Sequence, residues 1–76
     1  MAKASMSRGE IAALLDRKFR GLALDDPSSI RPDIWRVPRR APEDPNWDVS
    51  FTGVAGDDMR AVEATADLVR RQVDLA

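Results

Sequence analysis

The residues best suited to bind another molecule are clustered in the middle of the chain. The cluster comprises Arg31, Trp35, Arg36, Arg39 and Arg40. A guanidinium group offers paired donors that fit a phosphate or a carboxylate, and an exposed indole can stack on a base or anchor a protein contact. This pattern predicts an interaction surface for a protein partner or, as the alternative, for nucleic acid.

The same cluster has a purely structural interpretation. In that case Trp35 belongs to the core, and the arginines pair with nearby acids of the following loop and strand. Those acids are Glu43, Asp44 and Asp48. Because they lie only a few residues away, local neutralisation is easy, and the two interpretations differ in whether Trp35 is buried or exposed.

Catalytic, metal and cofactor sites are not expected. The chain has no histidine and no cysteine, so the hydroxyl groups lack the usual activating base and the usual zinc ligands are missing. The aspartate pairs at 25–26 and 57–58 precede a turn and a helix, where carboxylates cap backbone amides. The "GVAG" segment at 53–56 lacks the Gly-Lys-Ser/Thr ending of a phosphate loop. We therefore expect a non-enzymatic protein.

Length and net charge limit the number of domains and the remaining functional classes. The chain has 76 residues and a net charge of -1, which predicts one domain and gives no overall attraction to nucleic acid or a membrane. Its apolar runs are too short for a transmembrane helix, and the start "MAKASMSRGE" lacks the apolar segment of a secretory signal. We expect a cytoplasmic protein.

Two helices and a hairpin must position the cluster. Apolar spacing predicts helices at Arg8–Arg20 and at residues 58–73, the first begun by a Ser7–Glu10 capping box and ended by a left-handed Gly21. Asp57 or Asp58 is expected to cap the second. Alternation predicts strands at about 34–37 and 47–52, joined by the proline-rich loop 38–46. Residues 1–6 are predicted to be a disordered leader.

Burial of these apolar faces predicts the fold. Both helices should pack on one face of the hairpin, giving a small two-layer α+β domain in αββα order over residues 7–76. Trp47, Val49 and Phe51 should form the buried face of the second strand. Since a two-stranded ribbon is weak by itself, either helix packing suffices or two chains join edge strands in a homodimer.

The last third of the chain shows a resemblance. The segment "NWDVSF", a Gly-Asp turn and an alanine- and valine-rich helix ending in "RRQVDLA" resemble small uncharacterised proteins of proteobacteria and their phages. The resemblance implies a bacterial or phage accessory protein in the cytoplasm. It implies no activity, cofactor or site residue.

Overall fold

Within residues 3–76 the secondary structure consists of two α-helices and four short strands, with short 3₁₀ helices at Pro27–Ser29 and Gly56–Asp58. The structure is a computed structural model that describes residues 3–76. In chain order the elements are β1 (Ala4–Met6), α1 (Arg8–Arg20), β2 (Arg31–Arg36), β3 (Trp47–Thr52), α2 (Met59–Gln72) and β4 (Val73–Leu75). The predicted α+β class, with two helices on an antiparallel hairpin, is confirmed, and the parallel pair β1–β4 is added to it.

The first helix begins with the predicted capping box. The Glu10 amide donates to the Ser7 hydroxyl at 3.1 Å, and the Ser7 amide donates to the Glu10 carboxylate at 2.9 Å. The amide and hydroxyl of Ser7 favour the charged carboxylate and lower the pKa of Glu10. The predicted left-handed Gly21 is wrong: its φ is -82°, and its amide closes the last turn on Lys18.

The hairpin has a buried and an open face. In the antiparallel register Ile34 lies opposite Val49, and Trp35 lies opposite Asp48. Cross-strand partners share a face, so Ile34 points to the helices together with Trp47, while Trp35 points away from them. Ile34 and Trp47 are buried in the core. The strand β2 is longer than predicted, because it begins at Arg31 and not at Ile34.

The two ends of the described chain form a small parallel sheet. Ser5 of β1 pairs with Asp74 of β4, and the Ala76 amide donates to the Met6 carbonyl at 2.8 Å. The predicted disordered leader is therefore wrong for residues 4–6, while residues 1 and 2 lie outside the described part. The predicted helix end at Val73 is also wrong, because Val73 is extended and begins β4.

A single hydrophobic core joins both sheets and both helices. Its fully buried side chains are Trp47, Phe19, Ile11, Leu15, Val62 and Val69. Phe51 is partly buried and meets Phe19 edge-to-face, with 5.5 Å between ring centroids. Leu68, which fits the apolar spacing of α2, is instead 58% exposed. Within residues 3–76, no helix has the length and apolarity needed to cross a membrane.

The segment between α1 and β2 is hydrogen-bonded to the segment between β3 and α2. Gly53 has a φ of +76°, and a side chain there would put its Cβ 2.1 Å from the Ser29 carbonyl oxygen, so only glycine fits. The Ser29 hydroxyl donates to the Gly53 carbonyl at 2.9 Å. Neither predicted aspartate cap of α2 forms: the Asp58 side chain instead accepts from the Asp25 amide at 3.0 Å.

Candidate interaction surface

The outer face of the hairpin presents the predicted tryptophan to solvent. Trp35 is 40% exposed, whereas Trp47 on the other face is 0% exposed. The interpretation of Trp35 as a core residue is therefore wrong. The remaining exposed side chains of this outer hairpin face are polar: Arg31, Asp33, Ser50 and Thr52. The result is a flat, polar face with one large aromatic side chain.

Two arginines of the predicted cluster hold the chain together. Arg36 donates to the main-chain oxygens of Leu75 at 3.3 Å and Ala76 at 2.5 Å. Arg39 pairs with the Asp74 carboxylate at 2.5 Å. These three interactions connect the hairpin to β4 and the residue after it, so these guanidinium groups already have partners inside the protein.

The other two arginines, Arg31 and Arg40, do not contact β4. Arg31 donates to the carbonyls of Ser28 and Ile30 at 2.8 and 3.2 Å, at the opposite end of β2. Five residues of extended strand separate it from Arg36 by roughly 16 Å. Arg40 is exposed and takes part in none of the hydrogen bonds or ion pairs found within residues 3–76. The cluster is thus dispersed along the hairpin.

The loop acids do not neutralise the arginines as expected. Asp44 accepts from the Ala41 amide at 3.1 Å, and Asp48 lies 3.7 Å from Arg70 of α2. Glu43 receives Lys3 through its main-chain oxygen, at 2.8 Å, and not through its carboxylate. The predicted ion pairs between the arginines and these three acids are therefore wrong. Arg31 and Arg36 instead donate to main-chain carbonyls, and Arg39 pairs with Asp74.

Side chains of the hairpin also clasp the free edge of β4. The Asn46 amide group accepts from the Leu75 amide at 2.8 Å and donates to the Leu75 carbonyl at 2.9 Å. The Trp47 indole donates to the Val73 carbonyl at 3.0 Å. We call Asn46, Trp47 and Arg36 the β4 clasp, because they satisfy the strand as a neighbouring strand would.

A groove lies between β3 and α2. It has a volume of about 510 Å³ and is lined by residues 48–51 of β3 and by one side of α2. The helix contributes Met59, Glu63, Ala66, Asp67 and Arg70. The sequence pattern did not predict this β3–α2 groove. The α2 side chains recur at three- and four-residue spacing, but nothing local indicates that they line an opening against β3.

Local hydrogen bonds lower the pKa values of two carboxylates, Glu10 and Asp26. The pKa of Asp26 is lowered, mainly because the Ser28 hydroxyl donates to its carboxylate at 2.6 Å. Asp26 and Glu10 both lie at the start of a helical turn, where their hydrogen bonds are structural. Within residues 3–76, no group of three or more potential ligand side chains is placed to hold a metal ion.

Known proteins provide no relative from which a role could be transferred, since no family model, no curated protein and no solved structure matches this chain. The function must therefore be argued from the surfaces that the fold presents.

Proposed function

We propose that this protein is a non-enzymatic protein-interaction module that binds its partner through the outer hairpin face. The observation that carries the proposal is the exposure of Trp35, at 40%, on a face where the neighbouring side chains are polar. Tryptophan supplies a disproportionate share of binding energy when a partner buries it. A polar rim around one aromatic anchor is also the usual anatomy of a small interface.

The hairpin supports this role by being rigid. Trp35 lies within β2 and is paired with Asp48 across the ladder, so its backbone is fixed before any partner arrives. Arg36 and Arg39 secure the adjoining strand end and loop to β4. Because the hairpin is ordered before it binds, little conformational entropy is lost on association. These two arginines are positioning residues, while Arg31 on the outer hairpin face and Arg40 in the loop keep a positive charge for an acidic partner.

Nucleic-acid binding is the weaker proposal. It needs several guanidinium groups turned to one phosphate backbone, whereas Arg36 and Arg39 donate to groups of the protein itself and Arg31 lies at the far end of β2. We expect no measurable affinity for a mixed oligonucleotide at physiological salt. Four phosphate contacts would give a log–log salt slope of roughly -3 to -4, and such a slope would favour nucleic acid instead.

The cellular setting is part of the same proposal. A chain without cysteine suits a reducing compartment, so we place the protein in the cytoplasm of a bacterium or of a phage-infected cell. This setting is the one that the resemblance proposed for the last third of the chain implies.

The test compares two exposed apolar side chains. Trp35→Thr removes the proposed anchor and keeps a residue that favours strands, while Leu68→Ala removes an apolar side chain of α2 that is more exposed than Trp35. The immobilised wild type and both variants are incubated with bacterial lysate, and captured proteins are quantified by mass spectrometry after nuclease treatment. We expect a set of proteins lost with Trp35→Thr and retained with Leu68→Ala. Equal capture by all three proteins contradicts the proposal.

A further inference from the structure

The outer edge of β3 faces the β3–α2 groove. The Val37 amide donates to the Asn46 carbonyl at 3.0 Å, which fixes the alternation of the hairpin ladder. Asp48 and Ser50 therefore bond to β2, and the main-chain groups of Trp47, Val49 and Phe51 point to the other edge. Arg70 of α2 donates to the Trp47 carbonyl at 2.9 Å, which shows that this edge lies on the α2 side.

Two of the six main-chain groups on this edge are capped, and the end at Phe51 is open. The Trp47 carbonyl is taken by Arg70, and the Val49 amide donates to the Asp48 carboxylate at 2.8 Å. The Val49 carbonyl and both main-chain groups of Phe51 enter none of the hydrogen bonds found among residues 3–76. Such an edge is a template on which another extended chain can pair.

The groove beside the open edge combines apolar and acidic groups. Val49, Phe51, Met59 and Ala66 provide apolar lining. Of its three acidic residues, Asp48 lies 3.7 Å from Arg70, and Asp67 lies 3.6 Å from Arg70 and 3.0 Å from Arg71, so two arginines offset these two charges. Glu63 forms no ion pair within the described residues, so one negative charge is left for a ligand.

We propose that the β3–α2 groove binds an extended peptide segment, which adds a strand to the open edge of β3. Its main chain pairs with the Val49 carbonyl and with both main-chain groups of Phe51, its apolar side chains meet the groove lining, and a lysine or arginine faces Glu63. The four lining residues of β3 span roughly 13 Å, so about four peptide residues are held. This site is distinct from the Trp35 surface and does not depend on it.

A second copy of the chain fits this edge poorly. Pairing β3 with its own copy would bring the acidic side chains of two grooves together, which costs energy by like-charge repulsion. Pairing β3 with β2 of another copy would bring Pro32 to the ladder, and proline has no amide to donate. A basic segment from another protein has neither drawback.

The test uses the isotope-labelled full chain and three synthetic peptides. The probe is acetyl-TKVKVT-amide; acetyl-TEVEVT-amide reverses its charge, and acetyl-TKPKVT-amide removes one amide donor. Binding is followed by two-dimensional NMR. We expect saturable shifts at Val49, Phe51 and Glu63 with the lysine peptide, and much weaker binding of the other two. Absence of these shifts at millimolar peptide, or equal binding of the charge-reversed peptide, overturns the proposal.

Protein variants identify the site. Glu63→Lys should weaken the lysine peptide about tenfold, while Glu43→Gln, a loop acid far from the groove, should leave its affinity unchanged. Trp35→Thr should also bind the peptide normally, so failure at either surface is recognised separately. Light scattering that shows twice the monomer mass, with Val49 and Phe51 shifts that vary on dilution, would assign the edge to a second copy and overturn the proposal.

Discussion

The two tryptophans of the hairpin lie in opposite environments although only twelve positions separate them. Trp47 is 0% exposed, packs in the core and donates its indole N–H to Val73 of β4. Trp35 is 40% exposed on the outer face, where its neighbours are polar. Alternation within the strands places the two indoles on opposite faces, so one hairpin can hold the fold together and still present an aromatic side chain to a partner.

The arginines divide in the same way. Arg36 and Arg39 reach β4 or its main-chain continuation, while Arg40 remains exposed. Residues that form one cluster in the sequence thus serve different regions: Arg36 belongs to the β4 clasp, and Arg31 and Trp35 belong to the outer hairpin face. The comparison predicts that substitutions in the clasp reduce stability, whereas substitutions on the outer face reduce binding.

The largest effect is expected from Trp47→Ala. Loss of this fully buried side chain should cost about 3–5 kcal/mol, and a domain of this size has roughly 4–11 kcal/mol in total. The variant should be largely unfolded at 37 °C by circular dichroism. A cooperative melt near that of the wild type would show that the Trp47 side of the hairpin is not the structural side.

Asn46→Ala should have the second largest effect. It leaves the Leu75 amide without its side-chain partner and the Leu75 carbonyl with Arg36 alone, at a cost of about 2 kcal/mol. The urea midpoint should fall with an unchanged slope. Ser50→Ala, on the outer face, is the matched control and should unfold like the wild type. Equal midpoints for both variants would remove Asn46 from the clasp.

A smaller effect is expected for the pair of Arg39 and Asp74. Both side chains are partly exposed, so a double-mutant cycle with alanine should give a coupling of about 0.5–1 kcal/mol. The coupling should shrink as salt is added, because the attraction is electrostatic. A cycle that shows no coupling at low salt would indicate that Arg39 is free for a partner.

The smallest change in stability is expected for Trp35→Thr. Threonine favours strands, and the site is on the solvent side, so the free energy of unfolding should fall by no more than about 1 kcal/mol. Chemical denaturation measures this directly. A loss as large as that of Asn46→Ala would make Trp35 a structural residue and weaken its case as a binding anchor.

The sequence contains most of what determines the helices and the hairpin. The Ser7–Glu10 box, the apolar spacing of α1 and the alternation around Trp47 are local signals, and each predicted the element that forms. The end of α2 was predicted one residue too late, because Val73 fits the helical spacing after Val69 as well as it fits a strand. Only its pairing with β1, at the other end of the chain, favours the strand.

The hydrogen-bond and ion-pair partners of the polar side chains could not be predicted from local patterns. Glu43, Asp44 and Asp48 are close to the arginines in sequence, but the fold brings Asp74 and the Leu75 carbonyl closer in space. The β4 clasp joins residues 26 to 39 positions apart, so no local pattern marks it. The groove depends likewise on how α2 lies against β3.

The most direct test of the division between the two tryptophans is acrylamide quenching of Trp35→Phe, whose only indole is Trp47. The account predicts blue-shifted emission that acrylamide quenches weakly, while the wild type contains an additional red-shifted component that is readily quenched. If the emission of Trp35→Phe is red-shifted and as strongly quenched as that of the unfolded chain, Trp47 is not the buried tryptophan and the division is wrong.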